Sequence, residues 1–402
     1  MARRESNHLT RLEKVKVLAA IYLITRGSSQ KGAVEVLRKN THYIDEPLLT
    51  ELLRVARNLG WIWEESLFNV APEALPEGVD AQLLEEARAY VSDRVGLAER
   101  LRRTGTGTLR DVHVYYSGGE DKERDSKERW AARLESFARL ASKQVLRSLT
   151  RAHKVGVGWG HTVASLVQAL NTPAVKRSKK LDVKFVPTCG EPLRPSGPEH
   201  HPERASTHLA AALSDLFCAK GNDRRLTLAG VVAVEPKAFR TPERKAVLRE
   251  YFNVISDYRT IFGPGAHPPL IDEIDTILTS VGSFDQDWKL YTSELDRAAG
   301  IPREELAASF KGDIGGAIIP AQHPTRAQQR QYDIVASCWT GITVDHYKRI
   351  AADAVRNGRP GVIVAAIGSS KAEIVLEVVR LGLVNELIID HALAERLEAL
   401  TS

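Results

Sequence analysis

Apolar positions in the first sixty residues recur at helical spacing. Leu12, Val15, Leu18, Ala19, Tyr22 and Leu23 fall three and four apart, which predicts an amphipathic helix over 11–26 with Gly27 as its stop. Ser28 and Ser29 are N-cap types, and Gln30 to Lys39 carries Ala33, Val36 and Leu37 on one face. Asn40 to Ile44 reads as a loop. Asp45 then caps a third helix, with Pro47 in its first turn ahead of Leu48, Leu49, Leu52, Leu53 and Ala56. After Gly60, Trp61-Ile62-Trp63 and Leu67-Phe68-Asn69-Val70 flank Glu64-Glu65-Ser66 as a short hairpin. Three helices and a hairpin have the shape of a winged helix-turn-helix, and equally that of a small helical dimerisation or adaptor module. Pro72, Pro76 and Gly78 mark a linker.

The period then changes. Residues 80–103 continue at helical spacing, Gly105-Thr106-Gly107 breaks the run, and Val112 to Tyr116 reads as a strand. A polar loop from Ser117 to Ser126 leads to a helix over Glu128 to Leu149. Val155-Gly156-Val157-Gly158-Trp159-Gly160-His161-Thr162 is a buried strand entering a glycine-rich turn and the helix 164–170. Strands at 183–186, 231–234 and 276–281 follow, the last closed by a polar turn at Gly282-Ser283, with helices at 206–217 and 242–252 between them. The unit repeats at the end: strand Gly361 to Ile367, turn Gly368-Ser369-Ser370, helix Lys371 to Leu381, strand Glu386 to Ile389. Such βαβ units predict an α/β fold around a parallel sheet, whose ligands bind beyond the carboxyl ends of the strands. The 158–162 and 368–371 turns are expected to face one pocket there.

Length and composition narrow the class. A chain of 402 residues exceeds one compact core, so two or three domains are expected. No apolar run approaches the roughly 20 residues of a bilayer-spanning helix, so no membrane partner is expected. Met1 to His8 is basic but leads into charged helix rather than an apolar signal core, which points to the cytoplasm. Cys189, Cys218 and Cys338 stand far apart, against a disulfide framework or a zinc knuckle. The net charge of +5 is mild for this length and favours nucleic acid only where basic residues cluster.

Candidate chemistry concentrates at the turns. The 158–160 turn reads either as tight-turn geometry or as an anion cradle in which main-chain N–H groups and the helix end meet a phosphate, with Thr162 adding a hydroxyl. Lys371 starts a helix, where a cation is disfavoured unless an anion binds; the other reading is a solvated side chain. Asp313, within Gly312-Asp313-Ile314-Gly315-Gly316, either accepts hydrogen bonds from sugar hydroxyls or makes an ordinary turn. Glu199-His200-His201 and His208 lack a further ligand at metal spacing. There is no Gly-x-Ser-x-Gly elbow, no Walker lysine and no dinucleotide fingerprint, so no cofactor is expected. Lys176-Arg177-Ser178-Lys179-Lys180 reads as a solvated basic loop.

In element order and motifs the chain resembles the SorC family of sugar-binding transcriptional regulators. The pieces that carry the resemblance are 155–162, Thr276 to Ser283, Gly312 to Gly316, Ile367 to Glu373 and Gly382 to Asp390. The resemblance implies a DNA-binding winged helix-turn-helix over 1–75, a linker and helix over 76–110, and a sugar-phosphate-sensing effector domain over 111–402. The effector domain would be related in fold to sugar-phosphate isomerases and deaminases but used for sensing rather than catalysis. By matching position, Gly158, Trp159, Gly160, His161 and Thr162 would hold the phosphate, Asp313 sugar hydroxyls, and Lys371 the anion. Operator DNA is the implied partner of a homotetramer or homodimer, through Gln30, Lys31, Thr50, Arg54 and Arg57.

Two departures stand out. The turn before the third helix is enlarged at 40–44, and that helix opens with Asp45-Glu46-Pro47, whose charges repel phosphates. Besides the ligand-responsive regulator, two alternatives follow. One is a sugar-phosphate enzyme using Asp272, Glu273 or Asp313 as acid and base; the other is a sensor that has lost specific DNA binding.

Overall fold

The computed structural model describes residues 11–25, 46–58, 94–115, 127–172, 182–191, 202–218, 225–235, 237–239, 241–263, 268–283, 309–321 and 324–401, together with 33, 34, 37, 79, 80, 82, 83 and 117. The chain divides into two compact units, residues 1–96 with 113–116 and residues 97–112 with 117–402.

In the first unit, α1 (Arg11–Thr25) packs on α2 (Glu46–Asn58). Their core joins Val15, Leu18, Leu37, Leu49, Leu52 and Ala56. α1 is more than one stripe deep, because Val17, Leu18, Ala19 and Ala20 are all fully buried in succession. A helix apolar on several sides is buried on several sides. α2 keeps the predicted single face, with Leu49, Leu52 and Ala56 inward and Thr50, Glu51 and Arg54 outward. The loop 40–44, the hairpin 61–70 and most of the second helix lie outside the described residues.

After α2 the chain forms α3 (Arg94–Thr104), β1 (Asp111–Tyr115), α4 (Lys127–Leu149), β2 (Lys154–Val157), α5 (His161–Leu170), β3 (Lys184–Pro187) and α6 (Ser206–Phe217). It continues through α7 (Pro242–Val254), α8 (Ser256–Phe262), the single turn α9 (Leu270–Glu273), β4 (Thr276–Thr279), β5 (Val281–Ser283), β6 (Phe310–Ile314) and β7 (Ala317–Pro320). The last elements are α10 (Arg326–Ser337), α11 (Val344–Asn357), β8 (Gly361–Ala366), α12 (Ala372–Arg380), β9 (Glu386–Asp390) and α13 (His391–Thr401).

Among the described residues, six strands form one sheet in the order β1-β9-β8-β4-β2-β3. The pairs β2/β3, β2/β4, β4/β8 and β8/β9 are parallel. β4, β8 and β9 are buried at every position, as the continuous apolar runs of central parallel strands require. α4 packs on α5 and buries Phe137, Ala141, Val145 and Leu149, one residue per turn. Local chemistry sets several helix ends. Thr325 and Gln328 form a reciprocal capping box on α10, Thr241 caps α7 ahead of Pro242, and Gly358 at φ +65° stops α11.

Two sequence expectations are corrected. Residues 231–234 do not form a strand; Val232 and Val234 make only isolated bridges, to Glu191 and Trp339. The strand expected over 276–281 breaks at Ser280, and Gly282-Ser283 is no turn. These residues belong to β5, which pairs antiparallel with β6 in a second sheet, β5-β6-β7. Pairing with a distant strand, not the local pattern, decides where β4 ends.

Candidate functional site

Strand order places the site. From β3 at the edge, the chain crosses back over β2 to enter β4, so β2 and β4 are neighbours whose connections leave in opposite directions. A crevice opens at such a switch point beyond the carboxyl ends of the two strands. The turn after β2 and the Thr279-Ser280 step after β4 lie there.

Glycine is required in this turn for steric reasons. Gly158 donates its N–H to the Leu278 carbonyl at 2.8 Å, and a Cβ on Gly158 would lie 2.6 Å from Thr279 Oγ1. Gly160, at φ +110°, is the N-cap of α5 and donates its N–H to the Arg204 carbonyl at 3.1 Å. No side chain caps α5, so the first-turn donors of that helix are not satisfied by a cap. Trp159 is half-buried against the cluster of Cys189, Phe310, Cys338 and Trp339. Its bulk therefore anchors the turn from below, and Ser280 Oγ donates to its carbonyl at 3.3 Å. Thr162 is 2 % exposed on the inner face of α5, whereas His161 is exposed.

Arg204 was not visible as a site residue in the sequence. Its Nη1 lies 2.8 Å from His161 Nε2. A guanidinium only donates, so Nε2 is the accepting atom in this contact. Burial holds the Arg204 pKa below its ordinary value, with neighbouring Glu203 acting the other way. The positive end of α5 and a half-buried guanidinium thus meet at one place, which is favourable electrostatics for an anion.

Asp313 enters through the second sheet. It sits on β6, 7 % exposed, and its Oδ1 accepts from the Gly316 N–H at 2.8 Å across the hairpin turn. Gly315, at φ +55°, donates to the Ser280 carbonyl at 3.0 Å. A side chain on Gly315 would meet both Thr279 Oγ1 and the Tyr347 hydroxyl. The 158–160 turn, Thr279-Ser280 and the Asp313 hairpin are thereby locked into one assembly. Tyr347 is fully buried beneath it, and burial pushes its phenol up, with Thr279 opposing. Its hydroxyl meets no hydrogen-bond partner of acceptable geometry in the structure. Cys189, also beneath, has its thiol pushed up to about 12 by burial, then by Glu191.

Lys371 is 6 % exposed, so the solvated alternative does not hold. It is the N-cap of α12, within a one-turn helix Ser369–Lys371 that packs on β5. The Gly368 N–H is held by Asp390 at 3.0 Å, and Lys311 on β6 pairs with Glu373 in α12 at 2.9 Å. The Lys371 turn is therefore tied to the Asp313 hairpin, and the hairpin to the glycine turn. Asp272 and Glu273 lie elsewhere: they precede β4, and Glu273 pairs with Lys154 at the amino end of β2.

The remaining candidates are placed as follows. Thr50 and Arg54 are exposed on α2, with Arg54 paired to Glu51 at 2.6 Å. Gln30 and Lys31 lie outside the described residues, as do the Arg57 side chain, 176–180 and 199–201. His208 lines a cleft of about 530 Å³ between α5 and α6, beside Glu203 and Asp215. Among the described residues no cluster has the makings of a metal site, and no helix is long and apolar enough to cross a membrane.

Solved structures share this architecture. The full-length sorbitol operon regulator SorC from Klebsiella pneumoniae is 17 % identical, covers 98 % of this chain and 100 % of its own, and has a TM-score of 0.50. The fold is that of the SorC-type regulators. A DeoR family transcriptional regulator from Listeria monocytogenes, 16 % identical, covers 75 % of this chain and 98 % of its own at a TM-score of 0.50. A domain of a possible sugar-binding transcriptional regulator from Arthrobacter aurescens, 18 % identical, covers 77 % and 98 % at a TM-score of 0.50. No family model and no curated protein matches the sequence. The likeness to the SorC-type fold therefore lies in the path of the chain more than in its residues.

Proposed function

We propose that the protein is a ligand-responsive transcriptional regulator whose effector is a phosphorylated sugar. The observation that carries the reading is the uncapped start of α5 at the β2/β4 switch point, with the Arg204 guanidinium on His161 and the Asp313 hairpin hydrogen-bonded to Ser280 through Gly315. A phosphate matches the first two, and sugar hydroxyls match a carboxylate acceptor. Gly158, Gly160, His161, Thr162 and Lys371 complete the proposed contacts, with Trp159 buttressing the turn. Neighbours that share the fold are regulators rather than enzymes. The acid-base alternative loses Asp272 and Glu273, which sit at the other end of the strands from Asp313.

The first unit would contact operator DNA, with Thr50 and Arg54 on the outer face of α2, in an assembly of two or four copies. Two measurements test the reading separately. Thermal unfolding across a panel of sugars and their phosphates reads the effector. Binding to DNA from upstream of the protein's own gene, at several salt concentrations, reads the operator. A saturable shift with a sugar phosphate but not with the free sugar is expected. Turnover of the sugar phosphate would instead make the protein an enzyme, and the absence of any sequence-preferring complex at low salt would remove operator recognition.

A further inference from the structure

Beyond the carboxyl ends of β8 and β9, one buried carboxylate orients two neighbouring groups. Asp390, fully buried, accepts from the Gly368 N–H at 3.0 Å through Oδ1. Its Oδ2 accepts from Arg133 Nη2 at 3.0 Å and from Ser117 Oγ at 3.0 Å. The first bond fixes the turn that carries Lys371. The second fixes a buried guanidinium of α4, whose Cζ lies 5.9 Å from the centroid of the Trp130 ring. Trp130 and Arg133 are three residues apart and so share one face of the helix. α4 ends where β2 begins, at the amino end of the sheet, which leaves its first turns at the carboxyl end.

The ring of Trp130 also reaches the turn. Its Cη2 and Cζ3 each stand 3.7 Å from where a Cβ on Gly368 would lie, which is ordinary contact distance, so the indole borders the turn without crowding it. Arg133 and Gly368 thus hold the ring between two groups that Asp390 orients. Trp130 is only half-buried, and its indole N–H has no hydrogen-bond partner among the described residues. Lys371 follows in the same turn, and Lys311 ties α12 to the Asp313 hairpin.

A rigid, partly open indole beside a cation-bearing turn suits a ligand that has a flat apolar face and polar groups around its edge. We propose that Trp130 is the stacking wall of the effector site and selects cyclic over open-chain sugar phosphates. The inference rests on the effector reading above and narrows its ligand class. A pyranose or furanose presents a face of C–H bonds in a fixed shape. The matching alditol carries hydroxyls on every side of a flexible chain and must lose rotational freedom to lie flat.

Titration calorimetry of the full-length protein with two matched pairs tests this: glucose 6-phosphate against sorbitol 6-phosphate, and ribose 5-phosphate against ribitol 5-phosphate. At least one ring phosphate is expected to bind about tenfold more tightly than its alditol. Trp130→Leu should weaken that ring phosphate about tenfold and leave the alditol within about twofold, while Trp130→Phe restores the preference. The alditol serves as the control for folding, since a misfolded variant loses both members of a pair. Equal affinity for ring and alditol in the unaltered protein, or a preference that survives Trp130→Leu, would overturn the role of Trp130 and leave the sugar-phosphate reading standing. No binding by any of the four would also overturn it, while the wider panel of sugar phosphates still judges the effector reading by itself.

Discussion

At the carboxyl end of the sheet, Arg204 stands beside the positive end of α5; at the amino end, Arg102, Arg147 and Arg356 lie in the last turns of α3, α4 and α11. The two ends carry the same sign of charge on opposite terms. Cations near helix carboxyl ends gain from the macrodipole, whereas a cation near an amino end opposes it. Arg204 and buried Lys371 stand at helix amino ends, where an anion is favoured. Removing a cation at the carboxyl end should therefore change ligand binding more than the stability of the apoprotein.

Changes at the carboxyl end give the largest expected effects. Asp390 accepts from buried Arg133 at 3.0 Å, Ser117 at 3.0 Å, and the Gly368 and Leu393 N–H groups. Asp390→Ala breaks the buried ion pair with Arg133 and frees the Gly368 turn, and is expected to cost about 3–5 kcal/mol, read from the urea midpoint. A loss below about 1 kcal/mol would mean that the turn does not depend on this network. Next, Gly158→Ala drives a Cβ onto Thr279 and should cost about 1–3 kcal/mol while weakening effector binding, read by unfolding with and without ligand.

Smaller changes sharpen the contrast. Arg204→Gln removes a charge from the anion side and should weaken effector binding about tenfold with little change in apoprotein stability. Tyr347→Phe removes a buried hydroxyl that makes no hydrogen bond, so stability should be unchanged or raised by up to about 1 kcal/mol. A clear loss would show the hydroxyl bonded to Thr279. In the first unit, Arg54→Ala should leave stability within error and lower the salt slope of DNA binding by about one. An unchanged slope would take α2 away from the duplex.

What the sequence carried depended on range. The strand, glycine turn and helix over 154–170 were legible because their signals are local: an apolar run, glycines where a Cβ clashes, then a helical period. Helix α6 was read at its observed ends for the same reason. The break at Ser280 was not legible, because pairing of Val281–Ser283 with Gly312–Ile314 sets it. Arg204 was missed because its tie to the turn spans more than forty residues and follows no motif. The burial of Lys371 was equally invisible, since a lysine after Gly-Ser-Ser looks the same whether covered or solvated. Chemistry at turns could be nominated from the chain; which charges share a pocket required the strand order.

The proposed role of the turn at Gly158 to Thr162 is to bind the phosphate of a sugar phosphate with the help of Arg204. Thermal unfolding of the unaltered protein, Thr162→Ala and Arg204→Gln, each titrated with one sugar phosphate and its free sugar, tests it most directly. A saturable upward shift with the phosphate alone, weakened by both substitutions, is expected. Equal shifts from sugar and sugar phosphate, or shifts that survive both substitutions, would contradict it.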